Sequence, residues 1–487
     1  MLKIKFKSYN KFLIFVKGVI IFALIPLILS IGLAPALPFS DAAKFDQICI
    51  DKVWLENSKG KIACVTPATA DKLVERGWGT VLSLDTPEEG VMSMRYTEGD
   101  EIDYAAELSL VPQVDGGKRA LTVTPVIGNP DREFAETYVA GTEELGENEM
   151  RITFCGTGMP YPVYQQAAAC VLVELGNEDV FLFDIGAGSI SRVNGMQIDT
   201  NDLNKVFLGH LHTDHVGDLD ILWSQGGWSG RSVPIEVYGP SGPDHSTGTA
   251  FFVEKMLESM KWDLESRKSG IPTVGMTINM HEFDWTKTHV IYEENGATIT
   301  AFPAIHAIDG AVSFRLDWND LSFVFSSDTK PNKFLVENSQ NVDVLIHEAF
   351  APAQALAYIT GMPIETATFI AENVHTPPNG AGVVFDMTKP RLAVAYHVIL
   401  TQEILSESFQ LVRSIYDGPF LYSEDLVTIN VTPDYIISRP TEIVKNHYPA
   451  YNAVDAEVEG SEYGISDWLY EAKIDWKSYI KEKTQEN

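Results

Sequence analysis

Positive charge is what this chain has least of. Its 487 residues carry 36 Lys and Arg against 67 Asp and Glu, a formal net charge of −31. A surface of that sign repels phosphate backbones, so the basic footprint of most nucleic-acid binders is missing. The acid is spread along the chain without long blocks, which makes it a solvated surface rather than an interaction tail. Cysteine is scarce too: there are four, none set among the histidines in zinc-finger spacing. Internal repeats are absent. What is present is a hydrophobic content of 45%, that of a globular protein. The length exceeds one ordinary core, so two domains or one core with long appendages is expected.

Five lysines, Lys3 to Lys17, precede an uncharged run from Gly18 to Ser40 rich in Ile, Leu, Phe and Ala. This is the layout of an export signal over residues 1–40, with Ala34-Pro-Ala36 as a cleavage site, or of an uncleaved anchor. Either way the body is placed outside the cytoplasm. Residues 44–148 read as an N-terminal extension and linker, with Gly141 to Glu149 as the linker proper. Cys49 and Cys64 are candidates for a disulfide there, whereas Cys155 and Cys170, in apolar strand-like runs, read as buried thiols. From 149 to 440, strands and helices interleave as in a layered α/β domain. A tail over 441–487 carries Trp468, Leu469, Trp476, Tyr479 and Ile480 at helical spacing, an amphipathic helix expected to pack on the body.

The most informative stretch is His210-Leu-His212-Thr-Asp214-His215, which follows the apolar run Lys205 to Gly209. Imidazole nitrogen and carboxylate oxygen are the ligands zinc takes when a position must stay open for water. On extended backbone His210 and His212 would point the same way, while Asp214 and His215 sit where the chain turns into a helix. One short loop could then serve two neighbouring metal ions. Further along, His306, Asp328, His347 and His397 each sit just past an apolar strand. Ligands in layered α/β domains gather at such strand ends.

In that order, the His210–His215 run, His306, Asp328 and His397 resemble the ligand series of the metallo-β-lactamase superfamily, over roughly residues 150 to 440. Phe154 to Gly158, Phe183 to Gly188, Ser326 to Pro331 and His347-Glu348-Ala349 resemble the branch holding ribonuclease Z and the metal-dependent arylsulfatases. Gly226 to Arg231, Tyr238 to Gly242 and Tyr416 to Pro419 look more arylsulfatase-like. The resemblance implies a four-layer αβ/βα sandwich behind a small N-terminal extension. It implies two zinc ions, with manganese or iron as substitutes. His210, His212 and His306 would hold one, Asp214, His215 and His397 the other, and Asp328 would bridge them. Two metals ~3.5–4 Å apart make hydroxide available from a shared water near neutral pH.

In the same resemblance His347 is the catalytic acid or oxyanion stabiliser, Asp214 serves the chemistry as well as the metal, and Asp184 and His375 stand behind the ligands. Arg231, as an anion clamp, and Trp228, in an aromatic leaving-group pocket with Trp223, are candidates for substrate contact; structural and core roles are the competing readings. The remaining histidines, His245, His281, His289 and His447, read as ordinary surface residues.

The function so expected is an exported two-zinc hydrolase of an ester-type bond, a sulfate ester or phosphoester of a small molecule. The alternatives are a ribonuclease Z-like phosphodiesterase in tRNA 3′ processing, a lactonase, and a non-catalytic metal-bound binding module. Net charge −31 and the lack of a basic Gly/Pro-rich arm disfavour RNA. The expected partners are a small-molecule ester and, through the N-terminal segment, a membrane; a homodimer is admissible.

Overall fold

The computed structural model describes residues 126–485 other than 162 and 453–457, together with Arg76 and a few short strands before them. Residues up to 101 form one compact unit and those from 102 onward a second. In the first unit, β1 (Val53–Glu56) pairs antiparallel with both β2 (Ile62–Val65) and β3 (Thr80–Val81). In the second, β4 (Gln113–Asp115) pairs with β5 (Lys118–Ala120). The expected signal or anchor over 1–40 and the Cys49–Cys64 pairing lie outside the described residues. Among the described residues no helix is long and apolar enough to cross a membrane.

Two large sheets make the body. The first contains β6 (Val126–Gly128), β7 (Tyr138–Val139), β8 (Met150–Gly156), β9 (Cys170–Leu175), β10 (Val180–Phe183), β11 (Lys205–Phe207), β12 (Ile235–Pro240), β13 (Ile278–Phe283), β21 (Val427–Val431) and β22 (Tyr435–Glu442). Its order is β13-β12-β11-β10-β9-β8-β21-β22-β6, with β7 beside β22. The second runs in sequence order through β14 (His289–Glu294), β15 (Ala297–Pro303), β16 (Val312–Trp318), β17 (Leu321–Phe325), β18 (Val344–Glu348), β19 (Leu392–Tyr396) and β20 (Phe420–Tyr422).

Side-chain alternation sorts these strands into layers. Ile152, Phe154, Phe181, Phe183 and Phe207 of the first sheet meet Phe314, Phe323, Phe325, Ile346 and Val394 of the second in one buried cluster between the sheets. Each such Phe contributes about 1.5–3 kcal/mol relative to an exposed one. The opposite face of the first sheet packs Leu172, Leu182 and Val206 on Ile190, Leu222 and Val253 of its helices. That of the second packs Val324, Leu345 and Ala393 on Leu335, Phe385 and Leu405. Helix, sheet, sheet, helix is the expected four-layer α/β sandwich.

Three expectations change here. Cys155 and Cys170 are not free thiols: they form a disulfide, Cα to Cα 5.1 Å, between the adjacent antiparallel strands β8 and β9. The two apolar runs gave no sign that they were neighbours. The body also reaches back past the expected boundary at 149, since β6 and β7 pair with β22. Residues 141–149 are therefore no linker: Glu143 binds Arg439, and Glu149, buried, binds Arg132 and Asn430. Finally, the tail helices Asp467–Tyr470 and Trp476–Gln485 do not bury their apolar stripe, because every described residue from Glu462 to Thr484 is exposed.

Candidate metal centre

The site lies where strands of both sheets end. Strand β11 stops at Phe207, so His210 and His212 sit in a loop rather than on a strand, followed by the one-turn helix Thr213–Val216 that carries Asp214 and His215. The loop can pass close to the second sheet only because Gly209 has no side chain; a Cβ there would lie 2.3 Å from Ser327 Oγ. Gly186 is equally constrained, its Cβ position falling 2.0 Å from the Asp214 carbonyl oxygen.

Strict alternation along β10 and β19 would send Asp184 and His397 toward the outer helices, with Leu182 and Ala395. Both side chains are instead at the site, because each residue leaves its strand in the left-handed region, φ 56° at Asp184 and 57° at His397. Ser327, beyond β17, does the same at φ 48°. Such conformations are uncommon for residues with a side chain, and they collect at functional sites.

Every one of the seven expected ligands arrives at one point. The Asp328 carboxylate oxygen Oδ2 lies 3.4 Å from His215 Nε2, 3.5 Å from His397 Nε2, 3.7 Å from His306 Nε2 and 3.9 Å from His210 Nε2. On one side of it, His212 Nδ1 is 3.0 Å from His210 Nε2 and 3.2 Å from His306 Nε2. On the other, Asp214 Oδ2 is 3.2 Å from His397 Nε2 and 3.6 Å from His215 Nε2. Neither oxygen of Asp328 has a hydrogen-bond partner, nor has His215 Nε2, although all three are buried. Buried polar atoms seldom go unpaired. Lone pairs converging within 4.8 Å of one another, as His210, His212, His306 and Asp328 or as Asp214, His215, Asp328 and His397, fit divalent cations.

Electrostatics around the point are divided. Burial and the neighbouring His215 hold the His210 imidazole well below its ordinary pKa, and burial takes His306 down to about 4. Neutral imidazole is the form that binds metal. Burial opposes charge on His215 as well, but Asp328, Asp184 and Asp214 outweigh it and raise that imidazole.

Behind the ligands, Asp184 accepts hydrogen bonds from His215 Nδ1 at 2.7 Å, the Gly209 amide at 2.7 Å and Ser327 Oγ at 2.9 Å. One carboxylate thus orients the imidazole, ties down the loop and joins the sheets. His375 also reaches the centre, its Nδ1 3.7 Å from Asp328 and donating to Glu348 Oε2 at 2.9 Å, with its ring stacked on Phe350. The other Glu348 oxygen accepts the Thr329 amide at 2.6 Å. Ser327 and Glu348 escaped the sequence reading, although both lie inside strings singled out there, Ser326 to Pro331 and His347 to Ala349.

Three expected residues stand elsewhere. His347 shares the parity of Leu345 on β18, so it faces the outer helices, 6.1 Å from the Phe385 ring. Fully buried, its Nδ1 donates to the Glu348 carbonyl and burial lowers its pKa to about 4. Arg231 is 1% exposed and donates to the carbonyls of Thr200, Leu222 and Gly275, which makes it a brace for the end of helix Leu219–Ser229. Trp228 is 64% exposed and stacks under Arg267 rather than lining the site, while Trp223 is core.

Two clefts reach the centre. A cavity of about 710 Å³ opens on His210, His212 and His306. A second, about 610 Å³, runs past Asp214 between the loops at Met159–Ala168 and Ala187–Arg192.

Ribonuclease Z from Mycobacterium marinum is 30% identical over 206 residues, which are 41% of this chain and 70% of that protein. The chain belongs to the metallo-β-lactamase superfamily, in its ribonuclease Z-like branch. Within that superfamily, a family model described as anti-Pycsar protein Apyc1 matches residues 150–356. Solved structures similar to this superfamily member include the metallo-β-lactamase fold protein YhfI from Bacillus subtilis, at 17% identity, TM-score 0.43, 58% of this chain and 100% of that chain. Human tRNase Z, short form, matches at 20% identity, TM-score 0.43, 58% of this chain and 99% of that one.

Proposed function

We propose that this metal-dependent hydrolase acts outside the cytoplasm on a phosphoester of a small molecule, using two divalent cations, zinc in the first instance. The observation that carries the two-metal reading is the Asp328 carboxylate, unpaired at the meeting point of four imidazoles with a ligand set on either side. His210, His212 and His306 would hold one cation and Asp214, His215 and His397 the other. Bound there, such a pair makes water nucleophilic near neutral pH and neutralises charge on a phosphoryl group.

The chain's own residues supply the rest. Asp184 fixes the His215 ring and the loop of His210 and His212, so the ligands need no reorganisation. His375, held by Glu348 beside Asp328, is placed to give a proton to the departing alkoxide. Export is supported by the lysine-flanked apolar run at the N-terminus and by the Cys155–Cys170 disulfide, a bond that persists in oxidising compartments.

A second reading, ribonuclease Z-like cleavage of RNA, is favoured by the identity to ribonuclease Z. Net charge −31 weighs against it. The test is to count metal on the purified chain, strip and restore it, and assay a small phosphodiester, an aryl sulfate, a lactone and a pre-tRNA side by side. Preference for the phosphodiester, lost on chelation and regained with zinc, is the expected result. Preference for pre-tRNA would replace the reading with its alternative, and full activity after chelation would end both.

A further inference from the structure

The cavity beside His210, His212 and His306 has walls unlike its floor. The floor is polar and belongs to the metal centre. The walls are the helix Thr249–Ser259 with Met260 after it on one side and the loop after His306 on the other. They present Phe251, Phe252, Met256, Met260 and Ile308 to the cavity. Ile308 is 68% exposed, an aliphatic side chain on a loop that borders the cavity. Charge is nearly missing from the walls. Among the described wall residues the one basic side chain is Lys255, whose ammonium is taken by Glu254 at 2.7 Å and Glu258 at 2.9 Å. The other charged liners are Asp220 and Asp309, both acidic.

We infer that this chamber receives the non-reacting part of the substrate, and that this part is an apolar alkyl or aryl group rather than a second phosphate or a nucleotide chain. The inference rests on the phosphoester reading and names the substrate class for the same site. A volume of about 710 Å³ is that of a pocket for a whole small ligand. Away from the floor, a polyanion would meet two carboxylates and a lysine already paired with two glutamates, whereas an apolar group would leave water for five apolar side chains. Flexible Met256 and Met260 accommodate chains of differing shape. An apolar group held here also keeps its ester oxygen beside the imidazoles, so binding on the wall serves positioning at the floor.

The test uses the zinc-loaded full chain and two series of probes. The first is methyl n-alkyl phosphates from propyl to octyl, whose alcohols have similar acidity, with turnover followed by phosphorus NMR. The second is n-alkylphosphonates of one to eight carbons, with binding followed by calorimetry. kcat/KM and affinity should each rise about threefold per added methylene until the chamber is full. Met256→Asn and Ile308→Asn should each flatten both series, and Trp262→Ala, exposed and outside the cavity lining, should leave the slope as it is. A slope of zero with methylphosphonate still bound overturns the inference and leaves the phosphoester reading standing. A slope in binding with no turnover of any ester keeps the chamber and overturns the phosphoester reading.

Discussion

The two halves of the metal centre are built in different ways. Asp214, His215 and His397 are buried with Asp328, and Asp184 holds His215 from behind. His210, His212 and His306 border an open, apolar chamber, and His306 Nδ1 donates to the carbonyl of Val374 at 3.1 Å. One half is gripped through an imidazole, the other through the backbone of its loop. The difference teaches where orientation is imposed: Asp184 holds His215 directly and reaches His210 and His212 through the Gly209 amide.

Asp328 belongs to both halves, so its loss should have the largest effect. Asp328→Ala is expected to take bound metal from about two to fewer than one per chain, with kcat/KM down on the order of a thousandfold. Retention of both metals in elemental analysis would separate the halves and remove the shared centre. Next come the two histidines near β18. His375→Ala should lower kcat by about a hundredfold or more with metal content intact. His347→Ala should stay within about threefold in kcat and lower only the melting temperature, as for other buried large-to-small changes. An opposite ranking would restore His347 as the catalytic group.

Asp184→Asn is expected to weaken metal binding by about 10- to 100-fold, and on the buried side first, because His215 is the ligand it holds. Competition with a chelator should resolve one weakened site and one near normal. If both weaken equally, the halves are not independent. Smallest of all, Trp228→Ala should leave kcat/KM within about twofold, as expected of a surface change remote from the site. Arg231→Met should leave catalysis similarly untouched yet cost about 2 kcal/mol or more in urea unfolding, since buried carbonyls lose their donor.

The ligands were legible because each follows an apolar strand that must be buried, and strand ends in a sandwich share a rim. The roles of His347 and His375 were harder. Parity along Val344 to Glu348 already places His347 with Leu345 and Glu348 with Ile346, but a histidine in a recognised string draws attention from the glutamate beside it. Arg231 and Trp228 misled for another reason: nothing in a Gly-rich helix end tells whether a side chain folds inward or out. The disulfide required knowing that β8 and β9 are neighbours, a matter of register. That the body reaches back to β6 and β7 was hidden because these strands are only three and two residues long.

Asp184, Ser327 and His397 hold left-handed backbone at a cost of about 1–2 kcal/mol each. All three stand on the rim that the cations would draw together. His397 would itself be a ligand, and Asp184 and Ser327 hold the ligand loops by hydrogen bonds, so removing the ions would loosen what the strained conformations serve. The stripped protein should fray first at these strand ends while its twin sheets keep their protection. Amide exchange at Ile185, Asp328 and Val398 would then report the loading state of the centre with no substrate present, a clock for occupancy written in the backbone itself.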